Sequence, residues 1–485
     1  MAWGKRRLKS IHNFIQGVRH TVVLIVASPS CLISCFIAND MKNVLICGAG
    51  MSATDLISYM LKHAEEYDWQ VTVGDILVET AIKKIGGHPR GRAVYFDCYD
   101  AEIMERYIRD ADIVISLLPP GMHAAAAKIA LQYNAHVVTA SYASEEMIAM
   151  HEAAAEKGLT FLNEMGADPG IDHMNGMRSI NYIKKKGGEP LAFTSYCGSL
   201  VATESNDNPW GYKFTWSPMN VITAGSAGAC YYRNSNFRCI PYHRLFANPK
   251  IIEVPGFREF EAYENRDSVA YRKKYGLDDI PTFIRATLRH PGICEAWNLL
   301  IHLGETANNY HIEGSEHMTY RQWVATYLPA TAESLENALA DFLQIERGGV
   351  LHQQLLWTVL LSHRPITRVN GTPAEILLDL LLDKLKFNQG DTDMLVFYER
   401  IEYKLKGELF EHVSYMVTKG IDHWHTAISR TVGLPAAISA KMILTGKGYL
   451  AKQTIEKMPA GSINDSLYQD FFTENFQLLD YFAQV

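Results

Sequence analysis

The chain has 485 residues, 48% of them hydrophobic and 20% charged, which excludes a disordered chain. At about 100–200 residues per domain, this length predicts several domains. Lys and Arg number 46 against 53 Asp and Glu, and the net charge of −7 argues against broad binding to nucleic acid, which needs a basic face. The eight cysteines include no CxxC pair, so we expect reduced thiols in a cytoplasmic enzyme and assign no metal.

The first forty residues differ from the rest of the chain. A basic stretch precedes the apolar run TVVLIVASPSCLISCFIA, an order that imitates a signal peptide or a membrane anchor. Pro29 interrupts this run, and a nucleotide-binding strand begins almost at once, at Asn43. We therefore expect residues 1–40 to be an extension upstream of a start at Met41, with a targeting segment as the alternative. No membrane partner is expected for the rest of the chain.

Residues 42–53, KNVLICGAGMSA, predict a buried strand followed by a glycine turn and a helix at about 52–66. Gly48, Gly50 and Ala53 match the dinucleotide fingerprint GxGxxG/A. The first glycine permits a tight turn, the second lets the backbone approach a pyrophosphate, and the alanine lets the helix pack close to the strand. The N-terminus of the helix then points its N–H groups at the phosphates.

Short apolar strands alternate with helical stretches after this turn. The predicted strands lie at residues 71–75, 93–96, 113–118, 136–139 and 160–163. Such alternation predicts a doubly wound parallel sheet, which binds ligands at the carboxyl ends of its strands. Asp75 ends the second strand, where an acidic side chain can accept hydrogen bonds from the adenosine ribose. The sequence therefore predicts a dinucleotide site.

The segment NEMGADPGIDHM connects the last of these strands to another helix. Its Asp-Pro-Gly string, which begins at Asp168, predicts a tight turn, and Asp172 can cap a helix that begins near His173. Further on, Arg266 and Arg289 each stand among small polar residues, and arginine binds carboxylates through a planar two-pronged contact.

Each of these residues also has an ordinary structural interpretation when it is taken alone. Asp168 fits a turn residue. Cys197, which lies in a stretch of aromatic and polar residues from 195 to 218, fits a small buried hydrophobic residue. Arg266 and Arg289 fit surface ion pairs. The longer strings around them decide between the two interpretations.

Those strings resemble the saccharopine reductase family, the L-glutamate-forming saccharopine dehydrogenases. The matching segments are NEMGADPGIDH (163–173), SYCG (195–198), DNPWGYKF (207–214), NRDS (265–268), TLR (287–289), ISLLP (115–119), HVVTASYAS (136–144) and TVGLPAAISAKMILTGK (431–447). The resemblance covers about residues 42 to 460. It implies an enzyme that condenses L-glutamate with 2-aminoadipate 6-semialdehyde and reversibly reduces the imine to saccharopine with a nicotinamide cofactor.

The resemblance also implies a set of site residues. Asp168 and Cys197 match the family's active-site positions, and Tyr142 is placed to position substrate or relay protons, because carbinolamine chemistry needs a proton donor and an acceptor. Saccharopine carries three carboxylates, so we expect Arg266 and Arg289 to clamp two of them. The other expected substrate contacts are Ser141, Ser217, Thr287 and Leu288.

The expected cofactor contacts come from the glycine turn, the strand ends and the Asp-Pro-Gly turn. They are Gly48, Gly50, Met51, Ser52, Ala53, Asp75, Asp97, Cys98, Leu118, Pro119, Ser141, Pro169 and Gly170. Fungal members of the family carry a Cys-Arg pair after the second strand, which suits a 2′-phosphate, whereas this chain has Gly74 and Asp75 there. A carboxylate would repel that phosphate, so NAD is expected over NADP.

The expected fold class is α/β, with a Rossmann-type doubly wound parallel sheet, a mixed-sheet α/β substrate domain and a helical insertion. The predicted boundaries are 41–165 for the Rossmann domain, completed by about 425–485, then 166–277 with 386–424 for the substrate domain and 278–385 for the helical one. The segment PTFIRATL is expected to be helical from its apolar spacing, and MLVFYERIEYKLKG to be a strand. A homodimer is expected from the resemblance.

Two alternatives remain open from the sequence. Carboxynorspermidine dehydrogenase uses the same imine chemistry on a diamine, but it would need an anionic or apolar pocket in place of two arginines. A noncatalytic NAD-binding protein would bind the nucleotide without turnover.

Overall fold

The structure, a computed structural model, describes residues 41–330 and 334–446. The expected extension at residues 1–40 and the part of the Rossmann completion beyond residue 446 lie outside the described residues. The described chain forms one sheet of six strands and one of nine, with helices around both. The predicted α/β class, with one parallel and one mixed sheet, is confirmed.

The first sheet is parallel and doubly wound. Its strands are β1 (Lys42–Cys47), β2 (Trp69–Asp75), β3 (Gly91–Tyr95), β4 (Ile113–Ser116), β5 (His136–Thr139) and β6 (Phe161–Leu162). Their order is β3-β2-β1-β4-β5-β6, so the chain changes direction across the sheet between β1 and β4. Ligands bind at the carboxyl ends of strands beside such a switch point, and this is where the glycine turn lies.

Helices cover both faces of this sheet. They are α1 (Thr54–Ala64), α2 (Val78–Ile85), α3 (Ala101–Ile108), α4 (His123–Tyr133), α5 (Glu145–Ala149) and α6 (His151–Glu156). The first helix buries Leu56, Ile57 and Met60, a helical spacing that presents one apolar face to the strands. α3 begins where the Asp100 side chain accepts hydrogen bonds from the N–H groups of Glu102 and Ile103.

The second sheet is mixed and carries much of the candidate site. Its strands are β7 (Glu189–Val201), β8 (Ala229–Arg233), β9 (Asn236–Ile240), β10 (Lys250–Glu253), β11 (Glu259–Glu264), β12 (Arg266–Asp267), β13 (Thr282–Arg289), β14 (Asp393–Leu405) and β15 (Glu408–Lys419). The main path runs β10-β11-β13-β7-β14-β15, with β8, β9 and β12 beside β13. The central strand β7 runs parallel to β13 and antiparallel to β14.

One helix prediction is wrong, and one strand prediction is confirmed, in this sheet. PTFIRATL forms β13, because Phe283 and Leu288 belong to buried layers of a central strand. In so short a run, apolar spacing alone does not distinguish a buried strand from one face of a helix. MLVFYERIEYKLKG forms most of β14, as predicted.

The remaining helices pack against the second sheet, form a separate helical layer or, in the case of α15, return to the first domain. They are α7 (Ile171–Lys185), α8 (Pro218–Ile222), α9 (Val269–Lys274), α10 (Ile293–Leu303), α11 (Tyr320–Ala325), α12 (Leu335–Phe342), α13 (Val350–Trp357), α14 (Pro373–Lys384) and α15 (Ala427–Leu444). The helical layer spans α10 to α14 and buries Trp297, Trp323, Leu339 and Leu377 in one core. It therefore begins near residue 293, after β13, and not at 278.

The last described helix, α15, returns to the first domain. Ser429 Oγ accepts a hydrogen bond of 3.1 Å from the N–H of Asp55, and a Cβ on Gly433 would lie 2.9 Å from the Leu56 nitrogen, so α15 lies directly on α1. With a mean hydropathy of 1.2 over 18 residues, α15 is long and apolar enough to cross a membrane, but 78% of it is buried within the protein. Packing in the core accounts for its apolar character.

Candidate active site

The glycine turn leaves its backbone open at the carboxyl end of β1. Gly48 has φ +101°, and a Cβ there would lie 3.0 Å from the Leu117 carbonyl oxygen, so this position needs glycine. A Cβ on Gly50 would meet no atom within 4 Å. Ala53 is fully buried, which lets α1 sit close to the sheet. No side chain caps the short helical turn that starts after Gly50, although the Ala53 N–H donates to the Gly50 carbonyl over 3.0 Å. The first N–H groups of such a turn are where a phosphate binds in this fold.

Asp75 lies against this turn from the end of β2. One carboxylate oxygen accepts a hydrogen bond of 2.6 Å from the Ala49 N–H, and the other accepts one of 2.8 Å from the Leu77 N–H. The carboxylate is thus fixed beside the glycine turn, where the adenosine ribose of a dinucleotide lies in this fold. The residues present therefore fit a dinucleotide.

The other predicted cofactor residues lie at strand ends or in turns. Met51 is exposed and Ser52 half-buried in the short helical turn before α1, and Asp97 accepts a hydrogen bond from the Tyr99 N–H after β3. Cys98 is half-buried against a core cluster of the first domain, while Leu118 and Pro119 follow β4. Five of these predicted positions (51, 52, 97, 118 and 119) therefore border the carboxyl edge of the parallel sheet.

His123, which the sequence analysis did not single out, holds Ser141 in place. Its Nδ1 lies 2.8 Å from Ser116 Oγ, and its Nε2 lies 2.8 Å from Ser141 Oγ. The ring is buried at the start of α4, and burial lowers its pKa to about 4. His123 is therefore neutral near pH 7 and bridges the ends of β4 and β5.

The Asp-Pro-Gly turn presents Asp168 at the boundary between the two sheets. The Gly166 N–H donates to the Pro169 carbonyl over 2.9 Å, and a Cβ on Gly170, which has φ +145°, would lie 2.0 Å from the Gly166 oxygen. Only glycine fits at that position. Both Pro169 and Gly170 are buried, and the Asp168–Pro169 peptide bond is cis.

The helix after this turn begins earlier than predicted. α7 starts at Ile171 with Gly170 as its N-cap, so Asp172 lies in the first turn and does not cap a helix that begins near His173. One oxygen of the Asp172 carboxylate still accepts a hydrogen bond of 2.7 Å from the Gly170 N–H. The other oxygen faces β13.

Arg285, on β13, joins Asp168 and Asp172. Its Nη2 lies 2.6 Å from Asp168 Oδ1 and 2.6 Å from Asp172 Oδ2, and it donates to the Tyr142 hydroxyl over 3.0 Å. The Tyr142 hydroxyl in turn donates to Asp168 Oδ1 over 2.7 Å. We call Tyr142, Asp168, Asp172 and Arg285 the ionic cluster. It places one cation between two carboxylates, which is a strong arrangement only when all members are present.

Burial controls the protonation of this cluster. Burial, together with the charge of Asp172, raises the pKa of Asp168 above its ordinary value, although Arg285 acts in the opposite direction. Burial also raises the pKa of Tyr142 well above its ordinary value. The Asp168 carboxyl therefore holds a proton more readily than an exposed aspartate does.

Cys197 lies on β7 at the edge of the cluster, in register with Thr287 on β13. Burial, followed by the charges of Asp168 and Asp172, raises the pKa of its thiol well above the ordinary value. The group is a neutral thiol, and its predicted catalytic role stays a prediction.

A second layer of polar side chains supports the cluster from behind. His173 Nε2 lies 2.9 Å from Glu164 Oε2, and the Tyr271 hydroxyl donates to Glu164 Oε1 over 3.1 Å. Although burial opposes its ionisation, the contact with His173 and the charge of Lys274 lower the pKa of Glu164 to about 2. His173 Nδ1 also lies 3.4 Å from Asp172 Oδ2, so this layer is continuous with the cluster.

The two predicted substrate arginines differ in their exposure and contacts. Arg266 is exposed on β12, with φ +48°, and its guanidinium carbon is 5.1 Å from the centre of the Tyr142 ring. Arg289 is buried, and it donates to the Leu288 carbonyl over 3.0 Å and to the Tyr263 hydroxyl over 3.3 Å. Within residues 41–330 and 334–446, no carboxylate pairs with Arg289, so this buried cation is available for an anionic ligand.

The alternation of side chains along β13 determines which of its predicted substrate residues face the site. Arg285, Thr287 and Arg289 project from one face of β13, since side chains two apart share a face. Leu288 projects from the opposite face into an apolar layer that includes Phe260 and Met394. Ser217 is the exposed N-cap of α8. The site-facing set is therefore 285, 287 and 289, and the Leu288 side chain is not part of it.

The chain is similar to known proteins along most of its length. A family model described as the saccharopine dehydrogenase NADP binding domain matches residues 44–162, and one described as the saccharopine dehydrogenase C-terminal domain matches residues 166–471. The saccharopine dehydrogenase [NADP(+), L-glutamate-forming] of Schizosaccharomyces pombe is 30% identical over 418 residues, which cover 84% of this chain and 92% of the relative. The alpha-aminoadipic semialdehyde synthase of Arabidopsis thaliana is 30% identical over 404 residues, 79% of this chain and 38% of the relative.

A solved structure also matches. The apo histidine-tagged saccharopine dehydrogenase (L-Glu forming) from Saccharomyces cerevisiae superimposes with a TM-score of 0.72 at 29% identity, covering 84% of this chain and 92% of that chain.

Proposed function

Because this chain belongs to the saccharopine dehydrogenase family, we propose that it is an NAD(P)-dependent oxidoreductase acting on the CH–NH group of donors. It reversibly reduces the imine of L-glutamate and 2-aminoadipate 6-semialdehyde to saccharopine, in lysine metabolism. The observation that carries this proposal is the ionic cluster beside the buried Arg289, which has no acidic partner among the described residues.

Substrate binding rests on the two arginines. Arg289 offers a desolvated guanidinium, and each charge-assisted hydrogen bond from it to a carboxylate is worth about 1.5–3 kcal/mol. Arg266 offers an exposed one over the Tyr142 ring. A substrate with several carboxylates spans both, which places its reacting nitrogen between them and near Asp168.

Proton transfer falls to Asp168 and Tyr142. A bound nicotinamide dinucleotide, held by the glycine turn and Asp75, would supply the hydride. Asp168 donates a proton to the hydroxyl that leaves the carbinolamine, and its carboxylate takes a proton back in the reverse direction. Arg285 is a positioning residue, because its guanidinium fixes the orientation of the Asp168 carboxyl.

The alternative diamine substrate of a carboxynorspermidine dehydrogenase fits less well. A diamine is cationic, and both Arg266 and Arg289 would repel it. A noncatalytic NAD-binding protein would have no need of a proton donor held between Tyr142 and Arg285.

One assay tests the proposed function against both alternatives. Purified protein is mixed with NADH or NADPH, 2-aminoadipate 6-semialdehyde and L-glutamate, and the loss of reduced-cofactor absorbance is followed. Turnover with glutamate, and none when 1,3-diaminopropane replaces it, is the expected result. Turnover with the diamine alone would overturn the proposal. No turnover with any amine, combined with thermal protection by NAD, would identify a nucleotide-binding protein without this activity.

We propose NAD as the preferred cofactor, although the family model is described as NADP binding and the fungal relative is named for NADP(+). The support is the carboxylate of Asp75, fixed beside the glycine turn where it would repel a 2′-phosphate.

An Asp75→Ser variant should raise the ratio of kcat/KM for NADPH to that for NADH by about tenfold, or about 1.4 kcal/mol. Asp110→Ser, which removes an exposed carboxylate of the same domain, should leave the ratio unchanged. A wild-type protein that strongly prefers NADPH would contradict this proposal.

Arg289→Met should raise the KM for saccharopine about 10- to 100-fold, because the variant loses a buried charge-assisted contact with a carboxylate. Methionine retains most of the side-chain volume, and the KM for the dinucleotide should not change. Steady-state kinetics in the oxidative direction give both constants. Arg244→Met, a change at an exposed arginine, is the control. An unchanged KM for saccharopine in a folded Arg289→Met protein would remove Arg289 from the substrate site.

We also propose that the protein is a cytoplasmic homodimer. The support for the dimer is β15, a twelve-residue strand at the edge of the second sheet, whose Leu409, Phe410 and Tyr415 side chains are exposed. Sedimentation equilibrium of the purified protein tests the dimer, and a mass of one chain would contradict it. Cell fractionation tests the location.

A further inference from the structure

The hairpin of β8 and β9 places two cysteines opposite each other. Its two-residue turn, Asn234 and Ser235, has φ of +50° and +61°, and Cys230 is in register with Cys239. Cross-strand pairs alternate between hydrogen-bonded and non-hydrogen-bonded from such a turn, which makes the cysteines a non-hydrogen-bonded pair. In such pairs the Cα atoms are about 4.5 Å apart, at the lower end of the range that a disulfide spans.

The two thiols are in contact and accessible. The hydrogen bond between them, partial burial and the nearby Asp267 raise the pKa of Cys230 to about 11. Cys239 is exposed, as is nearly all of β9, while Cys230 is half-buried. An oxidant in solution therefore reaches Cys239 first, with Cys230 already positioned to react with the product.

The backbone of Cys230 is bonded to the segment that carries Arg266. Its carbonyl accepts a hydrogen bond of 2.8 Å from the Ser268 N–H, and Arg266 pairs with the residue just before Cys230. Ser268 Oγ also accepts a hydrogen bond of 3.0 Å from the Arg285 N–H. A displacement of Cys230 therefore also displaces β12, the strand that holds Arg266.

We propose that Cys230 and Cys239 form a reversible disulfide, and that its formation weakens substrate binding at Arg266. Hydrogen peroxide oxidises the Cys239 thiol to a sulfenic acid and releases water. The Cys230 thiol attacks that sulfur, and a second water leaves as the S–S bond forms, so two electrons pass from the thiols to the peroxide. A dithiol reductant reverses the step.

The expected effect of the disulfide on substrate binding follows from the separation of the two Cα atoms. Disulfides prefer a Cα separation of about 5.5–6 Å, so closing the bond across a pair that is typically about 4.5 Å apart widens the separation by about 1 Å and shifts the backbone of both strands. A misplacement of that size at a substrate-positioning group is enough to cost up to about 10²-fold. The effect on substrate binding rests on the proposed function, whereas the disulfide itself does not.

The test oxidises the fully reduced protein with hydrogen peroxide in steps. Proteolysis without reductant followed by mass spectrometry should yield a peptide that links Cys230 to Cys239. Oxidation should raise the KM for saccharopine about tenfold and leave the KM for the dinucleotide unchanged. Dithiothreitol should remove the link and return the KM for saccharopine to its starting value. The Cys239→Ser variant, altered at an exposed position, should fold and should show neither change. A link to another cysteine, or no link, overturns the proposal.

A second readout does not depend on catalysis. Phenylglyoxal modifies exposed arginines, and its rate at Arg266, followed by peptide mass, should change several-fold on oxidation while its rate at Arg244 does not. A linked peptide with an unchanged rate at Arg266 and an unchanged KM overturns the coupling to the site. If the reduced protein has no activity with any amine, the proposed function fails, and the linked peptide and the Arg266 rate still decide this proposal.

Discussion

An Arg285→Met variant should lose about 3–5 kcal/mol of folding free energy and nearly all activity, the largest effect expected for a single change in this protein. Arg285 is buried and contacts the carboxylates of Asp168 and Asp172 at 2.6 Å each. Removing it leaves two buried carboxylates without a cation. The midpoint of thermal unfolding, followed by circular dichroism, and the kcat for saccharopine oxidation measure the two losses.

The loss of folding free energy in Arg285→Met depends on pH, because the two carboxyl groups can be protonated. A carboxyl whose pKa is raised in the folded protein stabilises the fold below its unfolded pKa, and this stability is lost as the pH rises through the folded pKa. Burial already raises the pKa of Asp168, and loss of Arg285 removes the main opposing charge. The deficit in thermal midpoint should therefore shrink as the pH falls from 7 toward the ordinary aspartate pKa of about 4.

Two further variants distinguish the loss of a charge partner from a general loss of stability. Adding Asp168→Asn to Arg285→Met removes one unpaired carboxylate, so the double variant should be more stable than the single one. Arg364→Met breaks a partly exposed pair with Asp383 and should cost less than about 1 kcal/mol. An Arg285→Met protein as stable as Arg364→Met would contradict the role of the ionic cluster.

The dinucleotide half of the site could be predicted because its signals are local. The glycine turn and the acidic end of β2 lie within about thirty residues, and each position has one physical requirement that the sequence shows directly. The structure places Gly48, Gly50 and Asp75 together, with Asp75 bonded to the turn.

Arg285 was missed because the segment around it was interpreted as a helix. Read as a strand, the string RATLR places Arg285, Thr287 and Arg289 at alternate positions on one face, and this pattern could have found it. Its pairing with Asp168 and Asp172 could not be predicted, because the two carboxylates come from a turn more than a hundred residues away. His123 was also missed, because only the fold brings Ser116 and Ser141 to either side of its ring.

Asp168→Asn should lower kcat by about 10²- to 10⁴-fold with little loss of stability. Asparagine has the same shape and can still accept the Tyr142 hydrogen bond through its oxygen, and Arg285 keeps Asp172 as a partner. What the variant loses is an acid that can hold and release a proton. The KM for the dinucleotide should not change, and Asp341→Asn, at an exposed carboxylate, should match the wild type.

The pH profile tells whether Asp168 itself is the acid. Burial and the charge of Asp172 raise its pKa, so in the wild type the ionisation of Asp168 should produce a step in kcat/KM above the ordinary aspartate value of about 4. The Asn variant has no such ionisation, and its residual activity should lack this step. If the step persists at the same pH in Asp168→Asn, another group carries the proton, and Tyr142 or Cys197 becomes the residue to replace next.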